Sequence, residues 1–357
     1  MFYRLSGVFH TSYVSDSRLF RVPADRNLAV ICLVLGLAAP LVVPSFHLNS
    51  YLLPWVIWTA AALGLNLVTG WAGQLHLGYG AVMAVGAYSA VHAARAGLPW
   101  ELALLLAGLA AALIGSLFAF AALRVKGLYL ALTTLAMQFV MDWVLNHAPA
   151  ITGGSHASLQ SPPLALLGMR IGSDAGLYLV AFGWCLIVTI FMLNLRRTAL
   201  GRALVAVREK DYAAAILGVN SFRYKTLAFA TSSFIAGVSG AILVATFFRL
   251  AAPEQFSVNV SIQVLAMVIV GGLASIIGTY FGVLLILLVP GIVNGLVVDA
   301  AAGAGLQLDV ETLAHIPNAI YGALIIVILL VEPLGLGKLY ANIRDYLMVW
   351  PFDQLGR

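Results

Sequence analysis

LGRALVAVREKDYAAAILGVNSFRYK, Leu200–Lys225, is a charged interruption in a chain that otherwise carries very little charge. With Arg196 and Arg197 just ahead of it, the connection 196–226 holds seven Lys and Arg, while charged residues make up only 9% of the 357. The remainder is greasy, 62% hydrophobic with a mean hydropathy of +0.99. Soluble domains run nearer half apolar and a quarter charged, so polar material is too scarce to coat a globule of this size. A bilayer must supply most of the solvent. The fold class that follows is all-α, a polytopic helical membrane protein, because helices satisfy their own backbone groups in lipid. The basic stretch becomes a water-exposed connection between two spans.

A helix needs about 20 apolar residues to cross the hydrocarbon. Ten spans are expected on that length: 27–47, 51–70, 76–97, 99–122, 127–147, 175–195, 227–248, 261–275, 277–298 and 317–333. The pair within 261–298 is one apolar run broken only at Gly271-Gly272 and Gly278, and reads either as two spans or as a re-entrant hairpin. Lys and Arg near span ends favour the cytoplasm. With ten spans and both termini inside, 16 of the 19 Lys and Arg fall on the cytoplasmic side, and only Arg95, Arg170 and Arg249 fall outside. The expected organisation is a cytoplasmic segment 1–26, a membrane domain 27–333 and a cytoplasmic tail 334–357. Loop 196–226 lies inside, and loops 148–174 and 299–316 lie outside. Residues 1–26 do not resemble a cleavable signal peptide, so the apolar run after Asn27 is a retained first helix. Cys32 and Cys185 sit within apolar runs and read as small hydrophobes. No connection is long enough to hold a soluble domain.

Within the basic stretch, Leu200, Leu204 and Val207 recur at i, i+4 and i+7, while Arg202, Arg208 and Glu209 occupy other faces. Small residues follow at Ala213, Ala214 and Ala215, and Gly218 is a helix stop. One reading is an interfacial linker whose arginines touch lipid phosphates. The other is a short helix with an Ala-rich strip that lies close against a further surface.

The spacing Ala213-Ala214-x-x-x-Gly218, ahead of an aromatic and an apolar run, resembles the coupling loop of ABC importer permeases. Tyr212, after Asp211, stands where many permeases have Glu, as in the branch for branched-chain and other hydrophobic amino acids. "LGRAL" from Leu200 and "NSFRYKTLAF" from Asn220 are similar to that branch. So are ALGLNLVTGWAGQLHLGYGAVMAVGAYSA (Ala62–Ala90), PEQFSVNVSIQVLAMVIVGGLASIIGTYFGVLL (Pro253–Leu285) and VEPLGLGKL (Val331–Leu339). Length and span count resemble the larger, LivM-like permease subunit. The resemblance implies an ABC importer permease fold in a bacterial inner membrane. It also implies a non-catalytic subunit that forms the translocation path beside a second permease subunit. Two cytoplasmic ATPases would drive it and a periplasmic binding protein would feed it. Gly201, Arg202, Arg208, Asp211, Tyr212, Ala213, Ala214 and Gly218 would then form the ATPase-coupling helix. Branched-chain amino acids are the implied substrates, with urea, amides or aromatic compounds as the alternatives that relatives carry. In the outer loop ITGGSHASL, His156 and Ala157 replace the Asn-Gly that relatives often have.

Gly64, Gly70, Gly73, Gly78, Gly80 and Gly86 form one Gly-rich stretch, and Gly271, Gly272, Gly278 and Gly282 a second about 200 residues on. Both suit close helix packing, and paired interrupted helices also mark transport paths. Asn66, Gln74, His76, Thr133, Thr134, Gln138 and Gln263 are costly facing lipid and belong to the interior. They are candidate path-lining residues or interhelical hydrogen-bonding groups. Glu101 and Asp142 lie near span ends, where they can reach water. An ion-coupled carrier would need charges in the membrane core, and the spans hold almost none away from their ends. No His–carboxylate cluster calls for a metal or an intramembrane enzyme. "EPLGLGKL" has Leu339 where a phosphate loop needs Ser or Thr, so no nucleotide site is expected. Neither a cofactor nor a nucleic-acid partner is implied.

Overall fold

The structure, a computed structural model, describes residues 23–122, 128–153, 158–166, 168–303 and 332–349, with isolated positions between 322 and 330. It is helical nearly throughout. The described helices of six residues or more are α1 (Pro23–Val42), α2 (Ser45–Trp71), α3 (Tyr79–Arg95), α4 (Trp100–Ala122), α5 (Leu128–His147), α6 (Asp174–Leu195), α7 (Ala199–Glu209), α8 (Asp211–Ile216), α9 (Ser221–Phe248), α10 (Val258–Gly271), α11 (Ile276–Gly303) and α12 (Leu336–Val349). Among them α1, α2, α4, α6, α9 and the stretch Pro253–Gly271 that contains α10 are long and apolar enough to cross a membrane. This is a polytopic helical membrane protein.

Local chemistry sets the boundaries at the polar connections. Ser173, Thr198 and Asn220 accept hydrogen bonds from the backbone N–H groups of Gly176, Gly201 and Arg223, capping α6, α7 and α9. Gly218, at φ 84°, closes α8 in the left-handed conformation, and Val219 N donates to Ala214 O. Inside the bundle small residues set the spacing. Gly86 meets the backbone of Gly237 too closely to carry a methyl group. A methyl on Gly237 would also lie 2.6 Å from Ala107 O on α4. In this way α3, α4 and α9 form one tight layer, as small residues permit where lipid provides no hydrophobic force between helices. A second buried layer joins α2, α6 and α11: Trp55 Nε1 donates to Tyr280 O, and the Tyr280 and Thr189 hydroxyls share a hydrogen bond.

The expected spans match helices over most of the chain, with corrections at their ends. α9 starts at Ser221, six residues before the expected 227, because a helix continues into water without needing apolar side chains. α1 ends at Val42 rather than 47, and Pro44 precedes the next helix. The run 261–298 is two helices, α10 and α11, joined by a turn at 272–275 and packed antiparallel. A methyl on Gly282 would sit 2.6 Å from the Gly271 nitrogen. The expected loop 148–174 is partly ordered by two short strand pairs. Strand β1 (Leu159–Gln160) pairs with β4 (Leu250–Ala251), and β2 (Ala165–Leu166) pairs with β3 (Met169–Arg170). The tail 334–357 contains α12. α11 runs on to Gly303, so the expected loop 299–316 begins as helix, and the rest of that loop lies outside the described residues. Of the expected span 317–333 only 322–323, 326–328, 330 and 332–333 are described, and most of 1–26 lies outside.

These contacts give the bundle two distinct ends. α7, the last turn of α2, the 272–275 turn and Gly335 meet at one of them. The strand pair β1–β4, the start of α2 and the end of α9 meet at the other.

Candidate functional site

The basic connection folds as two short helices, α7 and α8, at the first of these ends. The hydrophobic i, i+4 face of α7 is turned inward: Gly201, Ala203, Leu204 and Val207 are buried, while Arg202 is exposed and its guanidinium donates to Arg197 O. Gly201 lies directly against Leu195 O, with no space for a side chain. Arg208 is surface-exposed yet reaches back to donate to Gly70 O, and its stem covers Gly73. On α8 the two alanines separate. Ala214 is buried and Ala213 exposed. Asp211 holds Lys225 at 2.8 Å, which ties α8 to the first turns of α9. Tyr212, Ile216 and Leu217 are 82%, 71% and 83% exposed, leaving one apolar strip with nothing against it. An open cleft bounded by Asp211, Tyr212, Ala215, Gly218 and Val219 runs alongside.

Just above Arg208 the chain is wound tightly around Asn66. Leu67–Trp71 forms a π-turn ending α2, a winding that often marks functional sites. Fully buried Asn66 donates through Nδ2 to Thr279 Oγ1 at 2.8 Å and Ser275 O at 3.1 Å, and its Oδ1 accepts from Ala274 N at 2.8 Å. Trp71 Nε1 donates to Ala274 O. Ala274 has φ 66°, a conformation that disfavours any side chain, and these bonds hold it there. Gly272 and Gly335 pack backbone to backbone against the same turn, 2.6 Å from where a methyl would stand. Thus the α10–α11 turn is clasped by α2, which in turn is capped by Arg208 of α7.

The second polar seam lies where α3 begins. The segment Ala72–Gly78 folds back into the bundle, so α3 starts beside the middle of α2, with Tyr79 Oη donating to Ala61 O at 2.7 Å. A helix start leaves N–H groups without intrahelical partners, and this one is buried, with His76, Tyr79 and Ala81 at 0–1% exposure. Side chains supply the acceptors: Thr134 Oγ1 for Leu77 N, His76 Nδ1 for Gly78 N, Ser261 Oγ for Gly80 N and Gln138 Oε1 for Ala81 N. Gln138 also accepts from Ser261 Oγ and donates to Phe256 O at 2.7 Å and Asp142 Oδ1 at 2.9 Å. Every hydrogen-bonding position of this buried amide is used.

The path candidates therefore fall into groups. Asn66 joins the clasp; His76, Thr134 and Gln138 join the α3 seam. Gln74 Nε2 bonds locally to Ala72 O, and Thr133 Oγ1 bonds Tyr129 O within its own helix. Gln263 is half-buried on α10. Ser261, Ser275, Thr279 and Trp71 complete both seams and were not singled out by sequence. For Trp71, Ser275 and Thr279 a signal is present, since each adjoins a Gly-rich break where freed backbone groups need partners, whereas Ser261, ten residues ahead of Gly271, carries none.

A bundle of apolar helices with glycine breaks, polar-capped interior turns and a basic helix pair at one end defines an integral membrane transport component. The sequence pattern described as "Branched-chain amino acid transport system / permease component" matches residues 48–331, and the chain belongs to that family. It is 35% identical over 271 residues to the high-affinity branched-chain amino acid transport system permease protein LivM of Escherichia coli (strain K12), covering 69% of this chain and 63% of that one. It is likewise 35% identical to LivM of Salmonella typhimurium, over 62% of this chain and 57% of that one. The chain thus spans about three fifths of the length of these two relatives. The fructose import permease protein FruF of Bifidobacterium longum is 28% identical over 75% of this chain and 74% of its own. No solved structure matches.

Proposed function

We propose that this chain is the larger, LivM-like permease subunit of an ATP-driven importer for branched-chain amino acids, lodged in a bacterial inner membrane with both termini inside. In this reading the membrane domain forms the translocation path together with a second permease subunit. Two cytoplasmic ATPase subunits drive it and a periplasmic binding protein delivers the substrate. The permease itself does no chemistry. The observation that carries the reading is the exposed strip of Tyr212, Ile216 and Leu217 on α8, supported by the family and by the relatives' names. Three large apolar side chains standing clear of the bundle beside an open cleft suit burial by a partner. The neighbouring basic residues match the cytoplasmic charge bias. A motion of that partner would be felt first by α8, then by α9 through Asp211–Lys225, and by α2 through Arg208.

Replacing Tyr212 and Leu217 together by Asp tests this, since both side chains are already exposed and the fold does not need them. The variant is expected to reach the membrane in normal amount, to lose co-purification with the ATPases and to abolish ATP-driven leucine uptake in proteoliposomes. Retention of both assembly and uptake would show that the motor docks elsewhere.

A further inference from the structure

The opposite end of the bundle holds a cleft of about 430 Å³ that nothing above uses. It is lined by Asn49, Ser50 and Leu53 of α2 and by Thr246, Phe247 and Arg249 at the end of α9. Both walls are wound irregularly: Leu48–Leu52 and Leu243–Phe248 are π-turns. Such turns are rare and recur at functional sites. Arg249 adds a third irregularity. Its φ of 59° is one that non-glycine residues seldom adopt, and strain of that kind persists only where the surroundings impose it. Here Ser161 N donates to Arg249 O at 3.0 Å, and the β1–β4 pair fixes the next two residues. Among the described residues the guanidinium forms no ion pair.

The lining is amphipathic. Arg249 offers a positive fork suited to a carboxylate. Asn49, Ser50 and Thr246 offer oxygen acceptors for an ammonium group; the Thr246 hydroxyl hydrogen is already given to Ile242 O, which leaves its lone pairs free. Leu53 and Phe247 supply apolar contact next to them. The volume lies within the range of small-molecule sites, about 300–1,000 Å³. We propose that this cleft is a reception site for a zwitterionic α-amino acid with an apolar side chain, Arg249 holding the carboxylate as the substrate enters the permease. The proposal deepens the importer reading and rests on it for its place in transport. Its test does not depend on uptake.

The probe is a diazirine analogue of leucine, photolysed with the purified permease in nanodiscs at millimolar concentration, followed by peptide mapping. Adducts are expected on the peptides containing Leu53 and Phe247. They should fall about tenfold or more in Arg249→Gln, the scale of one lost charge-assisted contact, and recover in part in Arg249→Lys. In the assembled transporter, Arg249→Gln should still co-purify with the ATPases while leucine uptake drops by a similar factor. Labelling that ignores Arg249→Gln, or adducts only elsewhere, overturns the site. A phosphate from an anionic lipid could use the same guanidinium, so discs with and without phosphatidylglycerol are compared. Labelling in both supports the amino acid, and labelling abolished by phosphatidylglycerol assigns the cleft to lipid instead. If wild-type complex takes up no leucine yet the cleft is labelled, the importer reading fails and the site stands.

Discussion

Asn66 shows most plainly how one side chain organises this protein. Its amide makes three hydrogen bonds to a turn more than 200 residues away, and one of them holds the N–H of Ala274 in a backbone conformation that alanine avoids. In Asn66→Ala the Ala274 N–H, in a half-buried turn, is left without its acceptor, whereas Thr279 Oγ1 still donates to Ser275 O. Orphaning a fully buried donor costs about 1–3 kcal/mol, and a half-buried one falls at the lower end, about 1 kcal/mol. Thermal unfolding of the purified variant in detergent should show a loss of that size, and Gln74→Ala, which removes one local bond from a half-buried residue, should change stability by no more than about 0.5 kcal/mol. Equal losses at both positions would mean that the clasp contributes nothing special. Composition alone shows that Asn66 must face protein. It cannot show what it faces, because Ser275 and Thr279 carry no sequence mark that pairs them with position 66.

At the scale of elements, span positions were readable and interior starts were not. α4 and α6 begin within a residue of their expected limits, at Trp100 and Asp174, because their long apolar runs start there, just after Pro99 and Ser173. α3 was expected from 76 and starts at Tyr79, since Leu77 and Gly78 give their N–H groups to side chains instead of carbonyls. No hydropathy signal marks a helix that begins inside the bundle. Its dependence on borrowed acceptors leads to a prediction. Gln138→Leu fills the same space with an apolar group and strips Ala81 N of its acceptor, leaving Ser261 and Phe256 O without their Gln138 partner. It should destabilise the permease by several kcal/mol, given about 1–3 for each buried polar group left unmet, and should speed hydrogen exchange over residues 79–83. Thr133→Val on the same helix breaks only a bond to Tyr129 O, so its exchange pattern should match the parent. If Gln138→Leu leaves exchange at 79–83 unchanged, α3 is held by packing alone.

For the molecule as a whole, sidedness joins the two ends to function. Arg196, Arg197, Arg202, Arg208, Lys210, Arg223 and Lys225 all belong to the end built from α7, α8 and the start of α9, whereas Arg170 and Arg249 belong to the end with the strand pairs. Such a bias orients helical membrane proteins with the basic end inside, and the proposed motor and reception sites need that orientation. Single cysteines can test it once Cys32, which is exposed, is replaced by Ser; buried Cys185 can remain. Tyr212→Cys and Arg170→Cys place thiols at exposed positions on opposite ends. A membrane-impermeant maleimide applied to intact spheroplasts should label Arg170→Cys and not Tyr212→Cys, and inside-out vesicles should reverse the pattern. Tyr212→Cys labelled from outside in intact spheroplasts would put α8 beyond reach of any cytoplasmic ATPase. The charge bias would then have misled on orientation, and the Arg249 cleft would open toward the cell interior.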